Sequence, residues 1–218
     1  MAGLVKSFTF RGPAGALEGL WKEGAAPRRG SAVFAHPHPL HGGTLHNKVV
    51  YRAAQSLARA GYDTLRFNFR GVGVSDGRHD AGAGEVEDFR AALDEADRAA
   101  GRPIVAGGFS FGSAVALKAG VADPRVAAFV IVGLPLASES GRGVPRPEVP
   151  SLFVVGENDG FGPPAELERF LGGRHAMVVV PGADHFFEGR LERLEAAIDG
   201  FLAGLAGLAP SRAAGTPA

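Results

Sequence analysis

The sequence predicts an α/β fold, an eight-stranded and mostly parallel sheet with helices on both faces. Two observations carry that expectation. Apolar, β-rich runs alternate with stretches of helical periodicity along nearly the whole chain, which is the pattern of βαβ units. The 218 residues also include 33 glycines and 15 prolines, enough for the many tight turns that such a series needs.

Taken in order, Ser7–Gly12 and Ala16–Glu23 flank a Gly/Pro turn and read as an antiparallel hairpin. Ser31–Pro37 is a strand, and Asn47–Gly61 a helix with Val49, Val50, Ala53, Ala54, Leu57 and Ala58 on one face. Gly61 stops that helix where a left-handed residue is needed. Then come strand Asp63–Arg70, helix Glu85–Ala100, strand Pro103–Phe109 and helix Phe111–Ala122, whose small apolar residues suit burial on several sides. Strands Val126–Gly133 and Ser151–Gly156, helix Pro164–Gly172, strand Ala176–Pro181 and helix Leu191–Leu205 complete the series. Leu136–Pro150 is irregular, with three prolines and two glycines, and suits neither a second domain nor a packed helix. Residues 1–206 are expected to be one domain, and 207–218, rich in Ala, Gly and Pro, a disordered tail.

Composition narrows the function. With 45% hydrophobic and 21% charged residues, the chain can bury roughly 70% of its unfolded surface. The formal net charge of zero gives no reason to expect nucleic acid or an anionic membrane as partner. Having no cysteine, the chain lacks disulfides, thiolate metal sites and a thiol nucleophile. Met1–Gly12 lacks a basic cluster followed by an apolar stretch, so no signal peptide is expected, and the expected location is the cytoplasm. A homo-oligomer is left open.

In a sheet of this kind ligands sit at the carboxyl ends of the strands. Gly108-Phe109-Ser110-Phe111-Gly112 lies there and matches the G-x-S-x-G elbow, with an apolar strand leading in and a helix following at once. Gly73-Val74-Ser75-Asp76-Gly77 matches the same pattern, but a loop follows it, so Ser75 reads as a turn residue. A serine hydroxyl needs a base, and His185, just past the last strand, is placed to fold back over the elbow. His175 falls at the opposite end of that strand, and His79 in a polar loop expected to be solvated. The orienting acid should lie between serine and histidine in the chain. Asp159 is preferred, with Glu157 next and Glu139 behind it; Asp184 is too close to His185 in sequence, and Asp123 lies at the wrong end. Asp76, Asp80, Glu85, Glu87 and Asp88 read as a solvated helix start.

The order Ser110, Asp159, His185 on an alternating sheet resembles the α/β-hydrolase superfamily. More narrowly, His36-Pro37-His38-Pro39-Leu40-His41-Gly42-Gly43, Phe67-Asn68-Phe69-Arg70-Gly71-Val72-Gly73, the Ser110 elbow and Gly182-Ala183-Asp184-His185-Phe186-Phe187 are similar to a small, lidless bacterial branch related to dienelactone-hydrolase-like carboxylesterases. The dienelactone hydrolases themselves use cysteine where this chain has Ser110. The resemblance implies a fold without a cap domain and puts the His36–Gly43 loop beside the N–H of Phe111 as an oxyanion hole. Pro37 and Pro39 have no N–H, so His38 or Leu40 must supply the second donor, and alignment with the family's His-Gly-x motif favours His38. His36, His38, His41 and His46 are weighed as a metal site and set aside, because two prolines stiffen the loop and no carboxylate lies within it. No metal or cofactor is expected.

The expected function is a serine hydrolase acting on short-chain carboxylic esters, with a small-molecule ester as partner. Thioester or peptide and amide hydrolysis on the same triad, and a non-catalytic binding protein of this fold, stay open. The expected acyl pocket is shallow, bordered by Phe109, Leu134, Leu136, Phe161 and Phe186.

Overall fold

The structure, a computed structural model, describes residues 5–101 and 103–205, so the expected tail at 207–218 lies outside it. Its elements in chain order are β1 (Val5–Gly12), β2 (Gly15–Lys22), β3 (Gly30–Ala35), α1 (Lys48–Arg59), β4 (Tyr62–Phe67), α2 (Ala83–Ala100), β5 (Ile104–Phe109) and α3 (Phe111–Gly120). β6 (Val126–Val132), β7 (Ser151–Gly156), α4 (Pro164–Leu171), β8 (Ala176–Val180) and α5 (Leu191–Leu205) follow. The eight strands form one sheet in the order β1-β2-β4-β3-β5-β6-β7-β8. β2 pairs antiparallel with both its neighbours, whereas β4, β3, β5, β6, β7 and β8 run parallel. This is an α/β-hydrolase fold.

The strand order reverses between β3 and β5: the chain steps outward from β3 to β4, then crosses back to β5. A crevice opens at such a reversal, beyond the strand ends. Here it receives the loop after β3 and the turn after β5. The sheet is covered on both faces because its strands are apolar on both. α1 and α5 close one face, where Leu57 of α1 packs with Phe34, Phe109, Val130 and Phe187. α2, α3 and α4 close the other, where Phe89 of α2 and Leu117 of α3 pack with Phe67, Phe129 and Phe153 of the strands. α1 starts where the Asn47 side chain accepts the N–H groups of Val49 and Val50, and its apolar stripe faces the core as the periodicity predicts.

Three differences from the sequence reading have physical causes. β4 ends at Phe67 rather than Arg70, because past Asn68, whose N–H still reaches β2, the N–H groups turn to side chains. Asn68 N–H donates to Glu18 O, Phe69 N–H to His36 Nε2, and Arg70 N–H to Asp88 Oδ2. The acidic stretch is not uniformly solvated: Glu85 and Asp88 are fully buried. Glu85 accepts the N–H groups of Asp80 and Gly82, and Asp88 holds Arg70 through two side-chain hydrogen bonds. Ser75 is buried too, accepting Glu18 N–H and donating to Asn68 O. Among the described residues no helix is long and apolar enough to cross a membrane.

Candidate active site

Four strand ends meet at one place, and small residues let them meet. A Cβ on Gly108 would collide with the backbone of Gly112, so only glycine lets β5 and α3 join in so sharp a turn. Between them Ser110 has φ 54° and ψ −122°, a strained conformation for a residue with a side chain. Its own N–H donates to Val132 O and its carbonyl accepts the Ser113 hydroxyl at 2.6 Å, so the strained turn is tied on both sides. The Ser110 hydroxyl does not cap α3 and is left to other partners.

Its partner is His185. Ser110 Oγ lies 2.8 Å from His185 Nε2, and His185 Nδ1 lies 2.8 Å from Asp159 Oδ2. A carboxylate only accepts, so Nδ1 carries the proton and Nε2 accepts from the serine hydroxyl. Asp159 is held in turn. Its Oδ1 accepts the N–H groups of Phe161 and Gly162 at 2.9 and 3.1 Å. The turns after β7 and β8 are stitched together by Asn158 N–H on Ala183 O, which brings Asp159 and His185 into reach. Gly133, at φ +55°, leaves room for the imidazole, where a Cβ would come within 3.1 Å of Cε1. Asp159 and His185 are both buried, and Ser110 is half-buried.

The competing carboxylates have other work. Glu157 is exposed and accepts Gly182 N–H, Asp184 accepts Phe186 N–H beside its own loop, and Asp123 pairs with Arg125. Glu139 lies in a short 3₁₀ turn, Glu139–Gly141, on the exposed surface.

The loop after β3 borders the elbow. A Cβ on Gly112 would strike the carbonyl of His36, so this glycine lets the start of α3 dock against the end of β3. As the first residue of α3, Phe111 has an N–H with no partner inside the helix. The Leu40 N–H is taken by His38 Nδ1 at 3.2 Å, which leaves the His38 N–H as the better second donor. His36 is completely buried: Phe69 N–H donates to its Nε2, and its Nδ1–H therefore donates to Pro37 O. Burial pulls its pKa down to about 4, so it is neutral and rigidifies the loop. The His38 pKa is also lowered, chiefly by burial and then by nearby His79 and His41.

Some expected site residues fall elsewhere. Phe109 is 0% exposed, its ring packed between the His185 and Phe187 rings, and Leu134 is 1% exposed. Neither presents surface to a ligand, so neither borders a pocket. Leu136 is half-buried, while Phe161 and Phe186 are exposed beside His185. His79 is not solvated: its Nδ1 lies 2.7 Å from the buried Glu85 carboxylate, off hydrogen-bond alignment, and its ring packs on His38 and Phe111. Sequence reasoning also missed Ser113, Asn68 and Glu18, which hold the flanking turns. An i+3 serine behind the elbow was the one local signal available for them.

The sequence pattern of the Alpha/beta hydrolase domain family matches residues 29–200. This chain belongs to the alpha/beta hydrolase family. Among solved structures, this hydrolase is similar to an alpha-beta serine hydrolase homologue from Coxiella burnetii, with 37% identity and a TM-score of 0.83 over 89% of this chain and 96% of that one. It is also similar to a lidless α/β serine hydrolase from Xanthomonas campestris, with 29% identity and a TM-score of 0.84 over 92% of this chain and 94% of that one. A Mycobacterium tuberculosis protein with a provisional phosphoribosyl transferase name is 33% identical over 84% of this chain and 43% of its own length.

Proposed function

We propose that this hydrolase is a serine esterase that cleaves short-chain carboxylic esters through an acyl-enzyme. The observation that carries the reading is the unbroken Asp159–His185–Ser110 relay, set on a strained elbow at the start of α3. Ser110 Oγ attacks the ester carbonyl while its proton passes to His185 Nε2. Asp159 keeps the imidazole in the tautomer that can accept that proton and stabilises the imidazolium that forms. The carbonyl oxygen, now negative, takes the N–H groups of Phe111 and His38. The bond to the alcohol oxygen breaks, and His185 Nε2 gives that oxygen its proton. Water then repeats the sequence on the acyl-enzyme, releasing the acid and restoring Ser110. No step calls on a metal or cofactor. The phosphoribosyl transferase name belongs to a protein less than half covered by the match, and the relay supports acyl chemistry in the shared stretch.

A fluorophosphonate probe is expected to label Ser110, and Ser110→Ala to lose both labelling and p-nitrophenyl acetate hydrolysis. A wild-type protein that resists the probe and leaves the ester intact would instead be a binding module of this fold. Hydrolysis of acyl thioesters or anilides far faster than oxygen esters of the same acid would move the reaction to those substrates.

A further inference from the structure

We infer that Phe161 and Phe186 recognise the alcohol half of the ester and that this half is flat and aromatic, an aryl or arylmethyl group. The inference rests on the esterase reading and deepens it. Three phenyl rings surround the imidazole of His185. Phe109 lies beneath it, fully buried, with ring centroids 5.2 Å apart. Phe161 and Phe186 approach from the open side, at 4.6 and 5.4 Å, yet they remain 50% and 53% exposed. Among the described residues they are two of the few large apolar side chains left in water, and core packing does not require them there.

Both residues are anchored through their backbones. The Phe161 N–H donates to Asp159 Oδ1, and the Phe186 N–H donates to Asp184 Oδ1. The two rings are therefore part of the same turns that set the acid and the base.

Chemistry decides which half of the ester they meet. His185 Nε2 must hand its proton to the leaving alcohol oxygen, so that oxygen comes within hydrogen-bond reach of Nε2 during acylation. Groups that crowd the imidazole thus border the alcohol side, whereas the acyl oxygen turns toward Phe111 and His38. The sequence reading put both phenylalanines in an acyl pocket; their packing on His185 assigns them to the opposite side. Tilted and edge-on aromatic contacts at 4.5–7 Å favour a flat π-system over a saturated ring of similar size, by roughly two- to tenfold per ring.

The test compares benzyl acetate with cyclohexylmethyl acetate, which leave the same acetyl-enzyme and differ in the flatness of the alcohol. Wild-type kcat/KM is expected to favour the benzyl ester several-fold, although the cyclohexyl ester has more apolar surface to bury. Phe161→Leu and Phe186→Leu keep apolar bulk at each position; each should lower the ratio, and the double variant should bring it close to one. A wild-type ratio near one, or a ratio unchanged in the double variant, overturns the inference while fluorophosphonate labelling of Ser110 leaves the esterase reading standing. An unlabelled Ser110 overturns both.

Discussion

Asp159 is the residue at which hydrogen bonding has the sharpest consequence. One carboxylate oxygen is committed to the N–H groups of Phe161 and Gly162, and the other to His185. In Asp159→Asn the amide oxygen must stay on the two backbone donors, so its NH₂ group faces His185 Nδ1. A donor there forces the imidazole proton onto Nε2, the atom that has to accept the serine proton. Turnover should therefore fall by about 10⁴-fold with the fold intact. Glu157→Gln should be mild, because Glu157 only caps the turn at Gly182. Steady-state kinetics of the two variants check the assignment, and near wild-type turnover in Asp159→Asn would move the acid elsewhere. Ser75→Ala tests the second elbow: activity should persist, while urea denaturation should show a loss of about 1–3 kcal/mol, since Glu18 N–H and Asn68 O would lose a buried partner.

At the scale of elements, the site depends on how α3 meets β3 and on the loop that follows β3. Gly112→Ala would push a methyl group into the carbonyl of His36, and a backbone atom cannot rotate away as a side chain can. The helix start must move, and with it the Phe111 N–H relative to the His38 N–H. A loss of about 1–3 kcal/mol in stability is expected. A displacement of about 1 Å between the donors would cost roughly 10²-fold in kcat, a larger effect than the stability loss alone implies. Thermal melts beside kcat values separate the two. The loop also carries a titration. The His36 pKa is lowered from 6.5 to about 4 by burial, so below pH 6.5 the unfolded chain takes up a proton that the folded chain refuses. The sign follows: stability is complete above 6.5 and declines as pH falls toward 4, by up to about 3 kcal/mol from this group. In His36→Gln that part of the slope should vanish. Equal slopes for the two proteins across this window, measured by urea denaturation, would rule it out.

For the whole molecule, what could be read from the sequence follows from what is local. The β–α alternation, the Gly108–Gly112 turn and the chain order of Ser110, Asp159 and His185 depend on near neighbours, and the structure places those three side chains in one relay. The pocket walls depend on which way a strand end faces and on what the next loop does. Phe109 falls on the α1–α5 face and is sealed by Phe187, whereas Leu134 turns at Gly133 into the opposite cluster. Buried Glu85 and Asp88 were hidden among Asp76, Asp80 and Glu87, which do stay exposed. The same tertiary facts sharpen the expected acyl selectivity. Larger hydrolases of this fold enclose long acyl chains beneath a helical cap inserted after β6. Here the corresponding segment forms only the 3₁₀ turn Glu139–Gly141, and Lys118 Nζ donates to Ser140 O, which holds it against α3. With Phe109 and Leu134 sealed in the core, there is less wall than the sequence suggested. Each further buried methylene contributes about 0.8 kcal/mol only while wall remains to cover it. The kcat/KM for p-nitrophenyl esters should peak at acetate or butyrate and fall beyond about six to eight carbons. Efficient turnover of p-nitrophenyl palmitate would refute an open site and require a cover supplied from outside the described residues.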